Sequence, residues 1–83
     1  MLQRIKNVQP QSGRRLLVEF ENGEKKHYDI RGAAAQWEAF WALLTDKELF
    51  AQVQVDTGGY GISWNEDLEL SCHELYQNGV DAE

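Results

Sequence analysis

Cysteine and proline are nearly absent from these 83 residues, with one of each, Cys72 and Pro10. A lone cysteine excludes an internal disulfide, and with two histidines, His27 and His73, no Cys/His set has metal-ligand spacing. Basic residues are scarce beyond Arg31. Up to that point the chain carries seven Lys or Arg against four acids, a net of +3; from Gly32 onward Lys47 alone opposes ten acids, a net of −9. A nucleic-acid binder needs a basic face for the phosphates, so direct nucleic-acid binding is not expected. Long apolar runs are missing as well. None approaches the ~20 residues that span a bilayer, and Arg4 and Lys6 fall where a signal peptide needs an apolar stretch. The expectation is a cytoplasmic, bacterial-type protein without membrane association. Repeats, low-complexity runs and internal linkers are absent too, which leaves a single domain over residues 1–83.

What is present is a core. Hydrophobic residues make up 42% of the chain, with three each of Trp, Tyr and Phe. Bulky aromatics bury much area in few residues, which a chain of this size needs in order to fold alone.

The apolar pattern predicts an α+β domain of order β-β-β-α-β-β-α. Residues 4–9 form a first strand. Leu2, Ile5 and Val8 are spaced by three, so Ile5 and Val8 share a face only if the strand bulges or ends early. Gln11-Ser12-Gly13 reads as a turn. Leu16, Val18 and Phe20 alternate with Leu17, Glu19 and Glu21, the period of a strand with one buried face. Register decides the next turn. A two-residue Asn22-Gly23 loop would pair Val18 with His27 and Leu16 with Asp29, turning polar groups inward. A three-residue loop, Glu21-Asn22-Gly23 with Gly23 left-handed, instead pairs Leu16 with Tyr28 and Glu19 with Lys25, and brings Tyr28 and Ile30 to the buried side.

Gly32 to Thr45 reads as one helix whose apolar stripe is Trp37, Phe40, Trp41 and Leu44. Thr45 and Glu48 suit a capping box that starts a short second helix carrying Phe50 inward. A second hairpin follows, with Val55 opposite Ile62, Val53 opposite Trp64 and Gly58-Gly59 as a two-residue loop. Ser71 and Glu74 form another capping box, with Leu70 and Leu75 as its staple, opening a last helix that stops at Asn78-Gly79; residues 80–83 are expected to fray.

Few residues invite chemistry. Cys72, in the first turn of the last helix with His73 next to it, sits where a helix dipole favours a thiolate. Adjacent helical residues do not face each other, however, and the surrounding carboxylates oppose the anion, so an inert thiol is expected. His27 lies on the outer face opposite Leu17, and neither histidine belongs to a catalytic or zinc set. Glu66, Asp67 and Glu69 lack the spacing and central glycine of a calcium loop and read as a solvated approach to the last helix. No enzyme, metal or cofactor is expected. Two surfaces remain. Glu66, Asp67, Glu69 and Glu74, in a stretch without Lys or Arg, offer a docking face for a basic protein. Ala39, Ala42 and Leu43, outside the main stripe of the long helix, offer an apolar interface for a partner or a homodimer.

The order of these pieces resembles a small bacterial family known only as domain of unknown function 2442, or DUF2442. The matching features are Ile5 and Val8 before a turn, Leu16-x-Val18-x-Phe20-x-x-Gly23-Glu24, Asp29-Ile30, Leu44-x-Asp46-x-x-x-Phe50, Val53-x-Val55, Trp64-x-x-Asp67-Leu68 and Leu75-Tyr76. The resemblance implies the same element order and no known activity or cofactor. It also implies company: some members carry a helix-turn-helix after this domain, and some are encoded beside candidate toxin genes as proposed antitoxins. After Leu70 this chain has room for one short acidic helix, so the first arrangement is not expected here. The functional expectation is a non-enzymatic interaction or regulatory module, an antitoxin-like partner of a small basic protein; the alternative is a small-ligand sensor domain without its DNA-binding half.

Overall fold

The computed structural model describes residues 3–82, so Leu2 and Glu83, which figure in the expectations above, lie outside the described residues. Three strands open the chain: β1 (Ile5–Gln11), β2 (Arg15–Phe20) and β3 (Lys25–Asp29). β1 pairs antiparallel with β2 and the register shifts between Ile5 and Asn7. That bulge buries Ile5 and still aligns Val8 with Val18 on the inner side. The first turn falls one residue later than expected, over 12–14, and puts Arg14 at φ 59. This uncommon backbone for a side-chain-bearing residue is held by long-range contacts. Arg14 Nε donates to Leu43 O at 2.9 Å, and the guanidinium lies 5.6 Å from the Phe50 ring centroid.

The β2–β3 hairpin takes the three-residue loop. Leu16 faces Tyr28, Glu19 faces Lys25, and Gly23 has φ 93. Leu16, Val18, Phe20 and Tyr28 are therefore buried together. Ile30 joins them as the first residue of helix α1 (Ile30–Gln36), whose N-terminus is capped by Asp29 accepting from the Arg31 N–H.

The long helix expected over 32–45 is broken. Trp37 leaves the helix at φ −130, ψ 111; a single 3-10 turn follows over Glu38–Phe40, then α2 (Trp41–Thr45). A straight helix would carry both Trp37 and Trp41 on its inner stripe, and overpacking a dense core is costly. The break instead presents small Ala33 and Ala34, then Phe40 and Leu43, to the interior. Trp37 and Trp41 are thereby left 42% and 55% exposed, contrary to their expected place in the core.

Helix α3 (Lys47–Phe50) does bury Phe50, but its cap is Asp46, which accepts from the Glu48 and Leu49 N–H groups. Thr45, the expected cap, instead turns its hydroxyl back to the Trp41 and Ala42 carbonyls. An aspartate one residue nearer competes successfully for the same donors.

The second sheet has strands β4 (Gln54–Val55), β5 (Gly61–Asn65) and β6 (Leu68–Ser71) in that order, all antiparallel. Val55 faces Ile62 as expected, but the connection is wider than two residues: a 3-10 turn over Thr57–Gly59 leads through Tyr60. Both glycines take positive φ. The wider turn is shaped by β1, because a Cβ on Gly59 would lie 2.6 Å from Ile5 O. β6 was not expected. Its signal was Leu68 and Leu70 alternating with Glu69 and Ser71, after a turn in which Asn65 Oδ1 accepts from the Asp67 and Leu68 N–H groups.

Helix α4 (Cys72–Asn78) begins at the expected Ser71 cap, which accepts from the Glu74 N–H. Beyond it the expected frayed tail forms a strand, β7 (Val80–Asp81), paired with β3, and Ala82 N–H donates to Lys25 O. The first sheet thus runs β1-β2-β3-β7. Side chains from both sheets and from all four helices meet in one buried cluster that contains no charged residue among the described residues. Within it the Trp64 indole N–H donates to Phe50 O at 3.0 Å, satisfying a helix-end carbonyl in the interior.

Candidate functional site

The break at Trp37 creates the most distinctive surface. Trp64 on β5 meets Phe40 edge-on at 5.9 Å between centroids, and Phe40 meets Trp37 at 5.9 Å with the rings tilted by 48°. An aromatic chain therefore runs from the buried face of the second sheet out to solvent. It ends at a groove of about 290 Å³ lined by Trp37, Phe40, Glu69, Leu70, His73 and Glu74.

The four acids expected to form one docking face separate into two groups. Glu69 and Glu74 border this groove, whereas Glu66 and Asp67 sit at the tip of the β5–β6 hairpin. Glu74 is already engaged, its Oε2 accepting from the Tyr28 hydroxyl at 2.8 Å. Glu66, Asp67 and Glu69 have no cationic partner among the described residues. The basic side chains of the first half are used differently. Lys6 lies 3.9 Å from Glu19, Arg31 pairs with Asp29, and Lys26 donates to Tyr76 O and lies 3.6 Å from Asp81. Arg4 donates to the Tyr60 hydroxyl and lies over its ring. The Arg31 hydrogen bonds hold the Asp29 carboxyl below the usual aspartate range. Much of the positive charge is thus spent inside the fold, while carboxylates on the β5–β6 hairpin face water unpaired.

The expected apolar trio does not form one surface. Leu43 is fully buried within its own chain, so it cannot line an interface; Ala39 and Ala42 are exposed. Breaking the helix turned Leu43 inward and Trp41 outward, so the exposed apolar groups of this segment are the indoles.

A second cleft, of about 470 Å³, opens between α1, β3 and α4, with Arg15, His27, Asp29, Gln36, Glu74 and Asn78 on its walls. His27 does lie opposite Leu17, half-buried rather than in open solvent, and its Nδ1 is enclosed without a hydrogen-bond partner. Cys72 is buried at the start of α4, its thiol donating to Gln3 O at 3.2 Å, and burial raises the thiol pKa. A raised pKa disfavours the thiolate that nucleophilic chemistry requires. Among the described residues no three or more His, Cys, Asp or Glu are grouped to hold a metal ion, and no helix is long and apolar enough to cross a membrane.

Residues 5–81 match a family described as a protein of unknown function, DUF2442. The chain belongs to the DUF2442 family. The match runs from the first residue of β1 to the last of β7, so it covers both sheets and the groove between Trp37 and β6. No curated protein and no solved structure matches this DUF2442 domain.

Proposed function

We propose that this DUF2442 domain is a non-enzymatic interaction module that docks a small basic protein, in the manner of an antitoxin held against its partner. The observation that carries this reading is Trp37, a large apolar side chain left 42% exposed at the end of an aromatic chain and beside the unpaired Glu69. Exposed aromatics next to uncompensated charge suit an interface with an apolar anchor and a polar rim. The test is co-expression with the products of adjacent genes, followed by pull-down at low and high ionic strength. A complex that forms at about 50 mM salt and weakens at about 500 mM is the expected result, because screening shortens the reach of exposed charges. No complex with any neighbouring product at low ionic strength rules the reading out.

A second reading, a small-ligand sensor domain, draws support from the cleft beside His27. Its volume of about 470 Å³ falls within the range of roughly 300–1,000 Å³ typical of ligand pockets, and its walls carry both cationic and anionic groups. A thermal-shift screen of charged metabolites tests it. A stabilising compound whose effect is lost in Arg15→Ala supports this reading, and a screen without stabilisers removes it.

A further inference from the structure

The second sheet ends at β6, because among the described residues no strand pairs with its outer edge. The phase of the ladder shows which backbone groups lie on that edge. Cys72 N–H donates to Tyr60 O at 2.9 Å, and Leu70 O comes within 2.6 Å of the position a Cβ would take on Gly61. Leu70 therefore bonds inward to β5, and alternation along an antiparallel strand turns the Glu69 N–H and C=O and the Ser71 N–H outward. Glu69 and Ser71 both line the groove that Trp37 and Phe40 line.

We infer that the β6 edge accepts an extended basic segment of the partner protein as an added strand. The inference rests on the docking reading above and specifies how docking occurs. Alternating side chains of an added strand point to opposite faces. Those on the Leu70 side meet Trp37 and Phe40, and those on the other side meet Glu69, with Glu66 and Asp67 further along the same hairpin. An occupant of alternating apolar and cationic residues satisfies both faces. Main-chain bonds supply affinity in such complexes and alternate side-chain pockets supply specificity. A second copy of this chain is a poor occupant: strand-to-strand pairing through β6 would bring the acids of two hairpins together, and like charges across a ladder are destabilising.

The probe is a capped hexapeptide of alternating Arg and Val, with a fully N-methylated version of the same sequence as control. The control keeps the charge and loses every backbone donor. Binding to the whole chain is read by titration, and by amide hydrogen exchange at Glu69, Leu70 and Ser71. The expected result is binding of the unmethylated peptide at least tenfold tighter than the control. Exchange at Glu69 and Ser71 should slow more than at Leu70, which is already bonded. Glu69→Pro deletes an outward donor without touching the β5 ladder and should cost at least tenfold in affinity; Glu69→Lys should also lower the affinity and flatten the salt dependence. Thermal unfolding of each variant shows whether it is folded, and Trp37→Ala supplies an independent loss on the apolar face.

Equal binding of the two peptides, or unchanged affinity in folded Glu69→Pro, overturns strand addition. If a basic neighbouring product is still retained in that case, the docking reading survives and only its mode falls. If neither peptide nor any basic neighbour binds, both fall. A doubling of mass in the unaltered chain that Glu69→Pro abolishes assigns the edge to self-association and overturns the inference.

Discussion

The Tyr28 hydroxyl donates to Glu74 Oε2 across 2.8 Å, joining β3 to the first turn of α4. Its counterpart lies at the other end of the same contact, where Tyr76 of α4 donates at 2.7 Å to Oε1 of Glu24, the residue just before β3. Lys26 Nζ, between them in sequence, donates to Tyr76 O and lies 4.3 Å from that ring's centroid. Two phenol–carboxylate bonds of opposite sense thus fasten the last helix to the first sheet.

Tyr28→Phe keeps the buried ring and removes the bond to Glu74. A hydrogen bond to a charged acceptor contributes about 1.5–3 kcal/mol when buried; at this half-buried site solvent screening reduces it, so about 1–2 kcal/mol of destabilisation is expected. Burial, then the bond to Glu74, raises the Tyr28 pKa above its ordinary value of 10.0. A raised phenol pKa means stability that is complete below pH 10 and declines as pH rises beyond it. Urea midpoints measured from pH 8 to 11 should therefore fall less steeply in Tyr28→Phe than in the unaltered chain. Parallel slopes would show that the phenol titrates without linkage to folding.

Acid reports on the other bond. Hydrogen bonds from Tyr76 and then Asn22 lower the Glu24 pKa below its ordinary value of 4.5. A lowered carboxyl pKa gives stability that is present above pH 4.5 and is lost as pH falls through the folded value. Tyr76→Phe should thus melt below the unaltered chain at pH 7, and the gap should narrow as the pH is taken toward 3. A gap that stays constant would place the cost in ring packing against Phe20, which Tyr76 meets edge-on at 5.2 Å.

Much of this fold was legible because strand patterns carry their own check. In the β2–β3 hairpin one register buries Leu16, Val18, Phe20 and Tyr28 together and the other buries polar groups, so sequence alone chose between them. The spacing of Ile5 and Val8 allowed a bulge or an early end to β1, and the structure takes the bulge. Helical periodicity gave no such check at Trp37. The i, i+3, i+4, i+7 stripe describes which residues would share a face, not whether that face fits the sheet beneath it. What that face meets is set by residues distant in sequence, which the periodicity does not contain. The same limit hid the groove. Glu69 was recognised as an unpaired acid, but its place on an edge strand depends on how β5 turns at Asn65, and its neighbour Trp37 became a surface residue only through the break.

Leu43 and Trp41 test that break directly. A continuous helix would have buried Trp41 and left Leu43 peripheral, whereas the structure buries Leu43 completely and exposes 55% of Trp41. Leu43→Ala should cost about 2–5 kcal/mol, the range for an enclosed leucine, and Trp41→Ala should stay within about 0.5 kcal/mol, as surface substitutions do. Chemical denaturation of the two variants measures both values. The reverse order would restore the unbroken helix and dissolve the groove with it.

Two glycines should respond to alanine with opposite signs. Gly59 has φ +77, and a Cβ there would meet Ile5 O at 2.6 Å and Ile5 N at 3.1 Å. Backbone atoms cannot step aside without shifting β1 against the second sheet. Strain at positive φ and the clash therefore add, and Gly59→Ala should destabilise by about 2–3 kcal/mol. Gly32 lies in α1, has no positive φ, and a Cβ there meets nothing within 4 Å. In that setting alanine restricts the unfolded chain and favours the helix, so Gly32→Ala should stabilise by about 0.5–1 kcal/mol. Because the two sites differ in backbone angle and in clearance while the substitution is identical, paired melting curves isolate the geometry. A neutral Gly59→Ala would mean that the Thr57–Tyr60 turn does not press on β1, and the close approach that widens the second hairpin would have to be abandoned.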